Sequence, residues 1–157
     1  DGVGKTKYGK TKLIAENYFS TKLKDSNIKL CIGRIFSFTD KRQKPPFVIP
    51  SLIKKIKLSK NKVTLKGLNH YRDFLNTRDI ALAIDTLRKK KAKGIYNIGS
   101  SKNFYLKNIA TLISKNFNKK VMFKDSKKKT YLISSNKKIM KMNWKPTTYN
   151  TNLNYFY

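Results

Sequence analysis

Apolar residues recur at helical spacing from Tyr8 to about Lys24, at Leu13, Ile14, Tyr18, Phe19 and Leu23, with the good helix formers Ala15 and Glu16 between them. That period predicts a helix. Asp25 to Asn27 supplies turn residues, and Ile28 to Phe38 follows as a nearly continuous apolar, β-rich run, as expected of one strand buried on both faces of a parallel sheet. Pro45, Pro46 and Pro50 then mark a loop from Thr39 to Phe47 and a short helix from about Pro50, a residue tolerated in a first helical turn.

The stretches KVTLKG and HYRDFL read as two extended segments around a turn at Gly67, Leu68 and Asn69. Next, Asn76 or Thr77 can cap a helix that carries Asp79 in its first turn, where the helix dipole favours an anion. Its apolar face is Ile80, Ala83, Ile84 and Leu87, and Gly94 ends it. GIYNIG is a short strand closed by Gly99, and Leu106 to Phe117 is another amphipathic helix through Ile109, Leu112, Ile113 and Phe117. A strand at Val121 to Phe123, a short helix around Ile139, and a docking tail with aromatic anchors from Thr147 complete the order. Strands and helices alternate throughout, so the class is α/β.

Within 157 residues, 39% hydrophobic and 12% aromatic content is enough to fill a core. No apolar run approaches the roughly 18 to 20 residues that a membrane span needs, and the chain is expected to be soluble. The net charge of +29 raises nucleic acid or anionic lipid as partners. However, the arginines are only Arg34, Arg42, Arg72, Arg78 and Arg88, and lysines are spread along the whole chain. Phosphate and groove readers favour the planar arginine fork clustered on one face. Abundant Lys, Asn and Ile point instead to AT-rich codons, and no specific nucleic-acid partner is expected. Cys31 and His70 are the only residues of their types, so neither an internal disulfide nor a zinc constellation is available, and no metal site is expected. Cys31 is expected to be a buried, inert thiol.

The segment YGKTK puts Tyr8 and Lys12 four apart on one helix face, where an ammonium can lie beside a phenol. A free phenol ionises near ~10, and a neighbouring positive charge favours its ionised form, so the pair suits acid/base work. In a chain this rich in lysine the spacing also arises by chance. Its company changes its weight: YGKTKLIAENYF, GRIFSF, FVIPSLIKK, RDFLNTRDIALAI, YNIGS and NWKP occur in that order over essentially the whole chain. This series resembles the extended short-chain dehydrogenase/reductases, the NAD-dependent epimerase/dehydratase family, in its C-terminal portion. The resemblance implies the end of a Rossmann-like doubly wound parallel sheet with a smaller α/β substrate-binding domain. Residues 1–38 would close the dinucleotide-binding domain with the catalytic helix and its following strand. Residues 39–157 would be mainly substrate domain, with segments returning to the Rossmann sheet.

The resemblance further implies NAD or NADP as cofactor, a nucleotide-diphosphate sugar as substrate, a homodimer when full length, and a cytoplasmic location. Tyr8 would exchange a proton with a sugar hydroxyl while hydride passes to or from the nicotinamide, and Lys12 would bond the nicotinamide ribose. Arg72 would contact the substrate diphosphate, against the alternative of an ion pair with Asp73 or Asp79. Asp79 would cap its helix, and Asn97 and Gly99 would shape a turn beside the site. Ser37, also assigned to substrate, stands where many relatives have Asn, and FTD at Phe38, Thr39 and Asp40 replaces their Tyr-Gly-Pro turn. Lys127, Lys128 and Lys129 occupy the stretch where relatives often carry a second arginine. No Gly-x-x-Gly-x-x-Gly occurs, DGVGK at the start not being that motif, and the upstream catalytic Ser or Thr is missing. With Asp1 as first residue, the expectation is a portion of a longer enzyme, inactive alone. The competing readings are a noncatalytic sugar-nucleotide-binding or regulatory module that lost its cofactor site, and a polyanion-binding protein that uses the lysine surface.

Overall fold

The computed structural model describes residues 6–124 and 128–147. The first elements are helix α1 (Lys7–Lys22), strands β1 (Cys31–Ile35) and β2 (Ser37–Thr39), helix α2 (Val48–Lys57) and strand β3 (Lys62–Lys66). Strands β4 (His70–Arg72) and β5 (Phe74–Asn76) lead into helix α3 (Thr77–Lys89), followed by β6 (Gly94–Ile98) and β7 (Phe104–Tyr105). Helix α4 (Leu106–Asn116), strands β8 (Lys120–Lys124) and β9 (Thr130–Leu132), and the short helix α5 (Lys137–Met140) follow. The class is α/β with parallel pairing, as the alternation of patterns predicts.

Strand β1 runs parallel to β6, β2 to β5, and β3 to β8, while β4 lies between β7, antiparallel, and β9, parallel. Two apolar cores result. One joins Ile49, Leu52 and Ile56 of α2 to Val63 and Leu65 of β3 and Leu106, Ile109 and Ile113 of α4. The other joins Ile80, Ala83 and Leu87 of α3 to Tyr96 and Ile98 of β6, Ile139 and Trp144.

The run from Ile28 to Phe38 is not one strand. The Phe36 amide donates to the Ile98 carbonyl at 3.0 Å, and beyond it the chain leaves β6 and pairs with β5 instead. Nor is it buried on both faces: Gly33 is exposed and Ile35 is 45% exposed. An open groove between β1 and α3, lined in part by Cys31, Gly33, Ile84, Leu87 and Ile98, leaves Gly33 uncovered. Cys31 is accordingly half-buried, with its thiol pushed up by that burial against the opposing influence of Lys138. Ile84 leaves the predicted buried face of α3 and is 52% exposed, because Ile80, Ala83 and Leu87 already fill the stripe toward β6.

HYRDFL is also divided, at Asp73, whose backbone amide donates to the Leu132 carbonyl at 3.1 Å before β5 turns to β2. The turn between β3 and β4 uses Gly67 at a φ of 69°, open to a residue without a side chain. No helix among the described residues is long and apolar enough to cross a membrane. The aromatic tail beyond Thr147 and Lys127 lie outside the described residues.

Candidate active site

Helix α1 begins at Thr6, whose hydroxyl accepts a hydrogen bond from the Gly9 amide at 3.0 Å, a side-chain cap that fixes Tyr8 in the first turn. One turn on, the Lys12 ammonium lies 5.4 Å from the centroid of the Tyr8 ring. The i, i+4 spacing therefore does bring cation and phenol together. Tyr8 is 74% exposed, so the pair faces outward rather than into either core.

Another turn along the same face, Glu16 accepts from Arg34 of β1 through a two-pronged contact, with Arg34 Nε to Glu16 Oε1 at 2.9 Å and Nη2 to Oε2 at 2.5 Å. The guanidinium holds the Glu16 carboxyl below the ordinary glutamate range, and the carboxylate raises Arg34 in return. This contact sets the level of the helix on the strand. From Glu16 back to Tyr8 is about 12 Å at ~1.5 Å per residue. From Arg34 forward to Ser37 is about 10 Å at ~3.3 Å per residue. A short connection joins the end of α1 to the start of β1, so the two run in opposite senses. By these spacings Tyr8 and Lys12 lie toward the end of α1 that faces the carboxyl end of β1, the end at which open α/β sheets receive ligands. No hydrogen bond joins Ser37 to the Tyr8–Lys12 pair. Its hydroxyl has no partner among the described residues, and its Cα partner is Phe74 in β5.

Arg72 pairs with neither Asp73 nor Asp79. Its Nη1 donates to the Tyr71 carbonyl at 2.7 Å and to Thr130 Oγ1 at 3.0 Å, and burial pushes the guanidinium below its ordinary value. Among the described residues Arg34, Arg42 and Arg88 find carboxylates and Arg78 is exposed, which leaves Arg72 as a half-buried arginine without a counterion. A cation in that position favours an anionic ligand. Lys129 does not join it, since its ammonium lies 4.9 Å from the Tyr71 ring centroid, and Tyr71 faces the opposite side of β4 from Arg72.

Asp73, fully buried, is a hub that the sequence alone does not reveal. Its carboxylate accepts from the Ser100 amide and hydroxyl at 2.7 and 2.6 Å, the Ser101 amide at 2.9 Å, and the Ser134 amide at 3.0 Å and hydroxyl. Gly99 makes room for this, because a Cβ there would lie 2.7 Å from Asp73 Oδ2 and closer still to Ser134. The Gly99 carbonyl in turn accepts from Asn136 Nδ2 at 2.9 Å, so Gly99 does serve a structural junction; Asn97 donates to the Ser135 carbonyl at 3.3 Å. Asp79 is not the cap of α3. Asn76 Oδ1 accepts from the Asp79 amide at 2.7 Å, while the Asp79 carboxylate binds Thr147 through its amide at 3.0 Å and its hydroxyl at 2.6 Å. The first-turn anion is thus used to dock the segment that carries buried Trp144. Asp40, the last residue of the FTD stretch, is held well below the usual carboxylate range by Arg42 and by the Thr77 hydroxyl, linking β2 to the start of α3.

The profile of the NAD dependent epimerase/dehydratase family matches residues 4–99. The chain belongs to that family. Among solved structures, RMD from Pseudomonas aeruginosa complexed with NADPH is similar at 21% identity and a TM-score of 0.79, with 90% of this chain and 51% of that chain covered. UDP-glucose 4-epimerase from Thermus thermophilus in complex with NAD matches at 20% identity and a TM-score of 0.76, covering 91% of this chain and 50% of that one. A dTDP-glucose 4,6-dehydratase from Bacillus anthracis in complex with NAD matches at 21% identity and a TM-score of 0.77, covering 96% and 49%. These likenesses establish a Rossmann-like fold, and the chain spans about half the length of the structures it matches. No curated protein matches the sequence.

Proposed function

We propose that this chain supplies the acid/base pair and the substrate-diphosphate contact of an NAD(P)-dependent nucleotide-sugar epimerase, dehydratase or reductase. The observation that carries the reading is the exposed Tyr8–Lys12 pair, on a helix tied to β1 by the Glu16–Arg34 contact. The arrangement fits the nicotinamide end of the cofactor, since phenol and ammonium stand side by side and open to a ligand. No Gly-x-x-Gly-x-x-Gly seats a pyrophosphate within the chain, so that part of the cofactor falls to a glycine-bearing half.

The chemistry that a bound nicotinamide would supply here is hydride exchange with a sugar carbon. Tyr8 takes the proton of the adjacent hydroxyl or gives it back, and Lys12 keeps a positive charge beside the phenol while it bonds the ribose. Ser37 donates its hydroxyl at the substrate, and Arg72 receives the diphosphate with the guanidinium edge not spent on Tyr71 and Thr130. In this reading, residues 1–38 end the dinucleotide-binding domain and residues 39–157 form mainly the substrate domain. Ile14, Tyr18 and Phe19, all more than half exposed on α1, are the face through which two copies would dimerise.

In the enzyme that contains this chain, Arg72→Gln should raise KM for the nucleotide sugar about tenfold or more, as for loss of a charge-assisted bond, with kcat little changed. Lys12→Met should lower kcat instead. Steady-state kinetics with a panel of nucleotide sugars checks both, and normal kinetics in the two variants would overturn the assignment.

A further inference from the structure

Strand β4 presents His70 and Arg72 on one face, two residues apart, and β9 places Thr130 opposite His70 in the parallel register. The Thr130 hydroxyl joins them, with Arg72 Nη1 3.0 Å away and His70 Nδ1 2.9 Å away. Arginine can only donate, so Thr130 Oγ1 accepts from it and keeps its own proton to give. Nδ1 of a neutral imidazole can receive that proton, which puts the ring proton on Nε2. Nε2 has no partner among the described residues. Arg72 likewise has Nε and Nη2 to spare, and no carboxylate pairs with it among those residues. Two unspent donors of a half-buried cation therefore stand beside an unspent N–H, tied to one hydroxyl.

Resting on the reading of Arg72 as the diphosphate contact, we propose that His70 is a second phosphate-binding residue of that site, with Thr130 as the positioning residue that fixes its tautomer. The neutral ring donates Nε2–H to a phosphate oxygen while Arg72 takes others through its open edge, a division of labour that discriminates a diphosphate from a single small anion. Lys129 takes no part, because it lies with Tyr71 and Tyr131 on the other face of the sheet.

The chain contains a single histidine, so long-range proton–nitrogen NMR correlation reads this imidazole without ambiguity. The unaltered chain is examined at mildly alkaline pH and then titrated with inorganic pyrophosphate, in enough salt to screen the exposed lysines. The expected result is a proton on Nε2 in the free chain and a shift of the Nε2 signals on binding. Affinity should fall about tenfold in His70→Phe, the scale of one hydrogen bond to a charged group, fall severalfold in Thr130→Val, and stay unchanged in Arg78→Gln. A proton on Nδ1 overturns the proposal. So do ring signals that stay still while Arg72→Gln abolishes pyrophosphate binding, an outcome that leaves the reading of Arg72 standing. Binding indifferent to Arg72→Gln sinks that reading, and the proposal with it. The tautomer measurement needs no variant, so a failure of His70→Phe to fold leaves the test intact.

Discussion

At Gly99 a methyl group would enter the space already held by Ser134 and by the Asp73 carboxylate. Gly99→Ala should therefore cost about 2 to 3 kcal/mol, the usual penalty of overpacking a closed site. Asp73→Asn should cost about 3 kcal/mol, because an amide cannot accept from all the donors that now converge on the carboxylate. Urea denaturation of both variants checks this, and a loss below about 0.5 kcal/mol, the scale of a neutral surface change, would contradict it. The RDF segment drew attention to Arg72 and hid its neighbour. Asp73 draws its partners from Ser100, Ser101 and Ser134, which lie so far along the chain that no local pattern links them. The same holds for Asp79, a residue with the sequence position of a first-turn anion and the structural task of holding Thr147.

Helix α1 shows what periodicity conveys and what it omits. The 3.6-residue pattern places the helix well, and Thr6 explains its start. The pattern says nothing about what covers Ile14 and Tyr18, which are 68% and 57% exposed. Nor does it reveal that an ion pair, Arg34 with Glu16, joins the helix to β1. The break at Phe36 was equally illegible, because an apolar run reads the same whether one partner strand serves its whole length or two share it. The ion pair gives a directional test. Because Arg34 lowers the Glu16 carboxyl in the folded chain, the contact stabilises α1 fully above the ordinary glutamate range. That support is lost as pH falls through the lowered folded value. Partial exposure limits the contribution to about 1 kcal/mol. The protection of the α1 amides against hydrogen exchange, referred to the intrinsic rate at the same pH, should fall several-fold in Arg34→Gln at neutral pH and in the unaltered chain under acid. Equal protection in both proteins at neutral pH would show that the contact does not hold the helix.

Across the whole molecule, acidic groups are scarce, and among the described residues all but exposed Asp25 are committed. Glu16, Asp40 and Asp85 pair with basic side chains, and Asp73 and Asp79 are buried among neutral donors. Most described lysines are exposed, which predicts retention on polyanions that falls steeply with salt and shows no sequence preference. Competition binding with DNA fragments of different sequence tests this, and a strong preference for one fragment would favour the polyanion-binding reading. The family and its fold were legible because six short segments occur in order, and the profile match over residues 4–99 accords with them. Less legible was how the site is held together, since that depends on contacts between segments far apart in sequence.

The measurement that bears most directly on this account is hydride transfer between nucleotide sugar and nicotinamide in the enzyme that contains this chain, with and without Tyr8→Phe. Removing the phenolic hydroxyl should slow transfer by roughly a hundred- to ten-thousand-fold, the usual contribution of a positioned acid/base group, and leave the affinity for the nucleotide sugar in place. Transfer at an unchanged rate would remove Tyr8 from the chemistry, and with it the claim that this chain carries the acid/base centre.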